Sequence, residues 1–218
     1  MITPEYKYII FDLDGTLSDS KQGIINSVHA ACNKLGFKIE ESFGFGSNIG
    51  IPLQEYFREI IGIPADMTDK AVYYFRDYYG KKGVYENKLY PGIERFLSLL
   101  YQSAQLYIAT SKLEKYALVA LDYLDIRKYF TGIAGADAAG IYADKTGLIK
   151  KILTLNNIAN NESVVMIGDR KMDIEAAANC NIDSAGVTYG YGSQKEIEAA
   201  GPTYIVNNVD ELGILLLN

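Results

Sequence analysis

Two pairs of aspartates, far apart in the sequence, have the spacing of chemically active groups. Asp12 and Asp14 follow the apolar run 6–11 and precede Gly15, a residue type that permits a sharp turn. Residues two apart in extended chain point to the same side, so both carboxylates can face one pocket. Asp169 and Asp173 follow a second apolar run and share one face if a helix begins near Asp169.

These four carboxylates predict a metal site if the fold gathers them. Each close pair would repel by roughly 4 kcal/mol at an effective dielectric constant near 20, and a divalent cation would relieve this repulsion. Donors that are all oxygen, with no His or Cys nearby, favour Mg²⁺ over zinc. A calcium-binding loop is excluded, because it requires Gly and Glu where this chain has Leu17 and Gly23.

Short β-branched and aromatic runs predict the strands that must position these groups. They lie at residues 6–11, 105–110, 163–167, 184–187 and 203–206, and helical patterns lie between them at 113–124, 145–155, 173–179 and 196–200. The alternation predicts parallel βαβ units, and hence a doubly wound α/β sheet. Ligands of such sheets lie beyond the carboxyl ends of the strands, where Asp12, Thr110 and Asp169 are expected to converge.

The segment between residues 19 and 87 has apolar positions at helical spacing and no buried strand signal. Gly and Pro residues at 44–52 and 62–64 divide it into several helices, and Pro91 with Gly92 marks the return to strand and helix alternation. The predicted organisation is an α/β core of residues 1–17 and 86–218 with an all-helical cap of residues 18–85 inserted into it.

Taken in order, the motifs resemble those of the haloacid dehalogenase-like hydrolases. They are FDLDGTL at residues 11–17, Thr110 at a strand end, Lys145 before a helix, and Gly168-Asp169 followed by Asp173. The likeness spans nearly the whole chain and implies the Rossmann-like core of that family. A helical insert after the first motif resembles the class with a small helical cap, such as phosphoglycolate phosphatases, 5'-nucleotidases and β-phosphoglucomutases.

The resemblance implies a phosphoryl-transfer reaction on a small phosphomonoester. Asp12 would attack phosphorus and form an aspartyl-phosphate, while Asp14 would protonate the leaving oxygen and then activate water. Family members that dehalogenate carbon or transport ions typically lack the second acid, so Asp14 favours phosphoester chemistry. A β-phosphoglucomutase-like sugar phosphomutase is the enzymatic alternative. A phosphoryl-accepting switch or a degenerate binding module is the alternative without turnover.

The same resemblance assigns the binding residues. Mg²⁺ would be held by the Asp12 carboxylate, the main-chain carbonyl of Asp14 and Asp169, with Asp173 as a further or water-mediated ligand. The phosphoryl group would be bound by Thr110, the Ser111 amide and Lys145, and the Gly15 turn would also contact it.

Other phosphatase chemistries lack their residues. The one histidine, His29, lies in a predicted helix of the insert, which excludes histidine nucleophiles and Ser-His-Asp schemes. Cysteine phosphatases place Arg six positions after the nucleophile, but Cys32 and Cys180 are followed at that distance by Lys and Gly. The Gly-x-Gly at residues 190–192 is too weak a signal for a dinucleotide site and is interpreted as a turn near the pocket.

Composition bounds the partners and the compartment. A formal charge of -6 and a pI near 4.9, with no long basic run, argue against nucleic acid as a partner. The sequence shows neither a secretion signal nor an apolar stretch of membrane-spanning length. Two cysteines far apart give no disulfide framework. A cytoplasmic protein with no membrane partner is expected, without a prediction of its oligomeric state.

Overall fold

The computed structural model describes residues 6–39, 49–137, 144–159 and 161–217. Its strands are β1 Tyr8–Phe11, β2 Ser18–Asp19, β3 Lys88–Leu89, β4 Gln105–Leu113, β5 Phe130–Ala136, β6 Val164–Gly168, β7 Asp183–Val187 and β8 Tyr204–Val206. Its α-helices are α1 Lys21–Leu35, α2 Leu53–Glu55, α3 Ala65–Lys81, α4 Ile93–Leu100, α5 Glu114–Tyr123, α6 Lys145–Leu155, α7 Lys171–Asn179, α8 Gln194–Ala200 and α9 Val209–Leu216. A π-helix covers Tyr56–Ile60, and short 3₁₀ turns cover Gly83–Tyr85, Arg127–Tyr129 and Asn161–Ser163.

Six strands form one parallel sheet in the order β5-β4-β1-β6-β7-β8. Numbered along the chain among themselves, they run 3-2-1-4-5-6, which is the Rossmann order. The chain builds outward from β1 on one side and then crosses to β6 on the other. The predicted fold class is confirmed, and the carboxyl ends of β1, β4 and β6 lie side by side at the switch point.

Strand β1 is central because its residues are apolar on both faces, as a parallel sheet covered on both sides requires. Phe11 packs edge-on against Phe96 of α4 and Phe130 of β5, with ring centroids 6.2 and 6.3 Å apart. Ile10 points to the opposite face and joins an apolar cluster that includes Ile149 of α6. The two layers hold the end of β1 rigidly where Asp12 begins.

Strand β5 was not predicted from the sequence. Its residues, FTGIAGA, are poor in the β-branched types that mark strands. The structure explains the glycines: a Cβ at Gly132 would press on the Tyr107 ring, and one at Gly135 would overlap the backbone of Glu114 at the start of α5. Close approach of neighbouring elements therefore selects residues that weaken the local strand signal.

The chain divides into two compact units, one of which is Ser20–Asn87. Strands β2 and β3 pair with each other and belong to the larger unit. Within Ser20–Asn87, α1 packs against α3, and Phe57, Phe75 and Tyr79 form an aromatic core in which the Phe75 and Tyr79 rings stack 5.7 Å apart. The boundaries predicted for the cap, 18 and 85, lie two residues before those of this unit.

None of the helices in the described parts of the chain combines the length and the apolar character needed to cross a membrane.

Candidate active site

The turn after β1 presents the Asp12 side chain. The Asp12 amide donates to the Ile167 carbonyl of β6 at 2.9 Å, so β6 still fixes the backbone at the point where it leaves the sheet. Leu13 and Leu17 are fully buried, and the Leu17 amide donates back to the Leu13 carbonyl at 3.0 Å. This tight turn fixes Asp12, whose Oδ1 accepts from the Leu13 amide at 2.7 Å.

Lys145, the first residue of α6, carries a buried ammonium group that joins two of the predicted aspartates. Its Nζ lies 2.9 Å from Oδ1 of Asp12 and 2.9 Å from Oδ1 of Asp173, and it donates to the Ala109 carbonyl of β4 at 3.0 Å. Asp144 caps the helix by accepting from the Gly147 amide at 2.7 Å. The cap starts α6 where the lysine reaches the end of the sheet.

Asp169 follows β6 and is fully buried. Its Oδ1 accepts from the Thr16 hydroxyl at 3.0 Å, and its Oδ2 accepts from the Tyr191 amide at 2.7 Å. Gly15 stands directly against this carboxylate: its φ of 89° lies in the left-handed region, and a Cβ there would overlap the Asp169 side chain. Gly15 is thus required both by the turn and by the space it leaves.

Asp173 reaches the site for a reason other than the one expected. Helix α7 begins at Lys171, so Asp169 precedes it and the two carboxylates do not share a helix face. Arg170 is extended at the N-cap, and its amide donates to Oδ2 of Asp173 at 3.1 Å. A Cβ at Gly168 would overlap the Asp173 carboxylate, so the glycine lets the helix start fold back toward the strand end.

Asp12, Asp169 and Asp173 form a cluster whose carboxylate oxygens lie within 4.8 Å of one another. If all three are ionised, the Lys145 ammonium leaves two negative charges uncompensated, which is the charge of one divalent cation. The donors are oxygen only, as Mg²⁺ prefers. The residues present therefore fit Mg²⁺.

Burial, together with the excess negative charge, raises the proton affinity of the cluster. Burial raises the pKa of Asp12 to about 6; the Asp173 and Asp14 charges act in the same direction, and Lys145 opposes them. Burial and the Asp12 and Asp173 charges raise the pKa of Asp169 to about 7. Without a cation, the site holds protons that ordinary carboxyl groups lose near pH 4.

Asp14 belongs to a second group at the same edge of the sheet. Its Oδ1 pairs with Nζ of Lys112 at 2.5 Å, and its side chain is outside the cluster of three carboxylates. Thr110, which is buried, accepts the Lys112 amide on its hydroxyl at 3.3 Å. Ser111 lies between these two residues in β4 and is exposed. Lys112 was not predicted as a site residue, although it follows the Thr-Ser pair that was.

The loop between β7 and α8 was interpreted as a turn near the pocket, and this is confirmed. Besides the Tyr191 amide bond to Asp169, a Cβ at Gly190 would overlap the Gly15 carbonyl and the Asp169 side chain. A Cβ at Gly192 would overlap the Asp169 carbonyl. The Gly-x-Gly pattern was thus the visible signal of a loop that packs against the acidic cluster.

Comparisons with known proteins show which proteins this chain is similar to. The model of the haloacid dehalogenase-like hydrolase family matches residues 9–187. A 5'-nucleotidase of Pseudomonas aeruginosa is 34% identical over 200 residues, which cover 91% of this chain and 90% of that protein. A phosphoglycolate phosphatase of Vibrio parahaemolyticus is 29% identical over an alignment 221 residues long, which covers 97% of this chain and 96% of that protein.

Among solved structures, protein tyrosine kinase A of Mycobacterium tuberculosis superposes with a TM-score of 0.83 at 32% identity, covering 96% of this chain and 97% of that one. The family match extends over well more than half of the chain. The chain therefore belongs to the haloacid dehalogenase-like hydrolases. The predicted family is confirmed, and so is the prediction that the protein is an enzyme.

Proposed function

We propose that this phosphoric monoester hydrolase is Mg²⁺-dependent and acts through an aspartyl-phosphate on Asp12. The observation that carries the proposal is the cluster in which Asp12 lies beside Asp169 and Asp173 and is paired with a buried lysine. A carboxylate needs no deprotonation to act as a nucleophile at neutral pH, and this one is immobilised at the end of the central strand.

The contacts of Asp12 distinguish its two oxygens. Oδ1 accepts from the Leu13 amide and lies against the Lys145 ammonium, at 2.7 and 2.9 Å. We assign Oδ2 as the atom that attacks phosphorus, because its partner oxygen is already engaged and holds the carboxylate plane in place.

Asp14 would move the proton. In the first step the Asp12–phosphorus bond forms, the bond from phosphorus to the ester oxygen breaks, and the Asp14 carboxyl group gives its proton to that oxygen. In the second step water attacks phosphorus, Asp14 takes a proton from it, and the Asp12–phosphorus bond breaks. Inorganic phosphate leaves, and both aspartates return to their starting states.

The remaining predicted residues would hold the metal ion or bind the phosphoryl group. The carboxylates of Asp12, Asp169 and Asp173, with the main-chain carbonyl of Asp14, would hold Mg²⁺, which when bound supplies positive charge to the phosphoryl oxygens. Lys145 supplies a further fixed positive charge beside Asp12. Thr110, the Ser111 amide and the Gly15 turn are proposed to bind phosphoryl oxygens.

A small alkyl phosphomonoester is the substrate class we propose. The relatives named as a 5'-nucleotidase and as a phosphoglycolate phosphatase cover nearly all of this chain, so nucleoside 5'-monophosphates and 2-phosphoglycolate are the first candidates. The predicted cytoplasmic location agrees with such metabolites.

Transfer to an acceptor other than water is the second candidate. A sugar hydroxyl would make the protein a phosphomutase, and the name of the mycobacterial relative adds protein tyrosine as an acceptor. Isomerisation of a sugar phosphate without release of phosphate, or labelling of a protein tyrosine, would favour these outcomes over hydrolysis.

The test is a phosphate-release screen of the purified protein in Mg²⁺ and in EDTA. We expect release from p-nitrophenyl phosphate and from at least one of AMP and 2-phosphoglycolate, only with Mg²⁺. Asp12→Asn is expected to abolish turnover while circular dichroism stays unchanged, and intact-mass analysis of quenched wild-type enzyme is expected to show one added phosphoryl group. Turnover near the wild-type rate in Asp12→Asn would exclude Asp12 as the nucleophile.

A further inference from the structure

Lys112 makes the closest contact of the second group of site residues. Its Nζ lies 2.5 Å from Oδ1 of Asp14, and the two side chains are only 7% and 15% exposed. By contrast, the side chains of the surface ion pair between Lys128 and Asp125 are 50% and 81% exposed. The pair is therefore held within the protein at the carboxyl edge of the sheet.

An irregularity in β4 brings Lys112 to this position. Thr110 is paired with Gly135 of β5, and the next pair is Leu113 with Ala136. Gly135 and Ala136 are consecutive, so β4 contains two extra residues between these pairs. Such a bulge bends and twists the strand and re-aims its side chains, and bulges are frequent beside active sites. Here the extra residues are Ser111 and Lys112, and the Lys112 amide is held by the Thr110 hydroxyl at 3.3 Å.

We propose that Lys112 is a positioning residue for the proton transfer by Asp14. The inference rests on the proposed function, in which Asp14 exchanges a proton with the leaving oxygen and then with water. An aspartate rotates broadly about its last side-chain torsion. The Lys112 contact on Oδ1 removes this freedom, and it assigns Oδ2 as the oxygen that carries the proton toward the ester.

The consequence is a dependence on the leaving group that a purely structural ion pair would not produce. Departure of an alkyl alcohol requires a proton, whereas p-nitrophenolate leaves as a stable anion. Loss of orientation at Asp14 should therefore slow formation of the aspartyl-phosphate from an alkyl ester much more than from p-nitrophenyl phosphate. A general loss of folded protein would slow both esters by the same factor.

The test compares kcat/KM for p-nitrophenyl phosphate and for the faster of AMP and 2-phosphoglycolate, in saturating Mg²⁺. This ratio reports the steps up to departure of the leaving group and leaves out hydrolysis of the aspartyl-phosphate, which is the same for both esters. Because general acid catalysis contributes about 100-fold or more, we expect Asp14→Asn to lose about that factor on the alkyl ester and far less on p-nitrophenyl phosphate. Lys112→Met should show the same selectivity with a loss of about tenfold, and Lys112→Arg should recover part of it. Lys115→Met, at an exposed lysine of α5, is the matched control and should change neither rate.

The outcomes separate this inference from the proposed function. Equal losses on both esters in Lys112→Met, with selectivity retained in Asp14→Asn, would overturn the role of Lys112 alone. Absence of selectivity in both variants would overturn it together with the proton transfer proposed for Asp14. Selectivity in Lys112→Met that is partly restored by arginine is the result that supports it.

Discussion

Replacing Asp169 with asparagine is expected to stabilise the metal-free protein at alkaline pH while it abolishes activity. Asp169 is fully buried beside Asp12 and Asp173, and its pKa is raised from 3.8 to about 7. Between these two values the folded protein keeps a proton that the unfolded chain has lost. The free energy of unfolding of the wild-type protein therefore falls as the pH rises through this window.

The size of the effect follows from the pKa difference. One unit corresponds to about 1.4 kcal/mol, and between pH 5 and pH 8 roughly two units of the difference develop, which gives about 2.5 kcal/mol. Asparagine does not titrate, so Asp169→Asn escapes this loss. Its amide group can still accept the Thr16 hydroxyl but cannot also accept the Tyr191 amide, a cost of about 1–3 kcal/mol that is the same at both pH values.

The assay is urea denaturation followed by circular dichroism at pH 5 and pH 8, in EDTA and again in Mg²⁺. In EDTA the stability of Asp169→Asn relative to the wild-type protein should rise by about 2.5 kcal/mol from the lower to the higher pH. In Mg²⁺ at pH 8 the wild-type protein should gain stability and the variant should not, because only the former has the full set of carboxylates. Asp69→Asn, at an exposed position in α3, controls for the substitution itself.

A difference between Asp169→Asn and the wild-type protein that stays constant from pH 5 to pH 8 in EDTA would refute the reasoning, because it would mean that the cluster does not hold a proton. Equal stabilisation of both proteins by Mg²⁺ would refute the assignment of Asp169 as a ligand.

Two further predictions concern the groups around the cluster. Lys145→Met removes a buried ammonium group from two carboxylates and should destabilise the metal-free protein at pH 8 by about 3 kcal/mol. The loss should be smaller at pH 5, because Asp12, with its pKa of about 6, takes up a proton there. Thermal and urea unfolding measure the loss, and equal losses at both pH values would contradict the prediction. Gly190→Ala should weaken Mg²⁺ binding, measured by calorimetry, by about tenfold, because the added methyl group displaces the loop whose Tyr191 amide orients Asp169. The control is Gly213→Ala, where a Cβ meets only ordinary contacts and the affinity should stay unchanged. Unchanged affinity in Gly190→Ala would contradict the role of the loop.

Much of the site could be predicted from the sequence because its parts are local. A buried strand that ends in Asp, or a Gly-Asp step before a helix, is encoded in a few consecutive residues, and parallel strands necessarily bring their carboxyl ends to one edge. This is why the convergence of Asp12 and Asp169 and the extent of α6 followed from pattern alone.

Other features depend on contacts between segments that no local pattern connects. Strand β5 was missed because two of its residues are glycines, which have low strand propensity. These glycines are needed because Tyr107 and the start of α5 lie too close for a side chain. Asp173 was expected on a shared helix face with Asp169, but the extended N-cap at Arg170 delays the helix and a backbone contact brings the carboxylate in.

The sequence by itself determined the fold class and the edge of the sheet at which the candidate residues meet, because strand ends and turns are read from neighbouring residues. Only the tertiary structure decided which charges pair. Lys145 pairs with both Asp12 and Asp173. Lys112 pairs with Asp14, and the Tyr191 amide donates to Asp169. These partners lie tens of residues apart or more, and a bulge, a helix cap and a glycine loop set the distances between them, which spacing along the chain does not record.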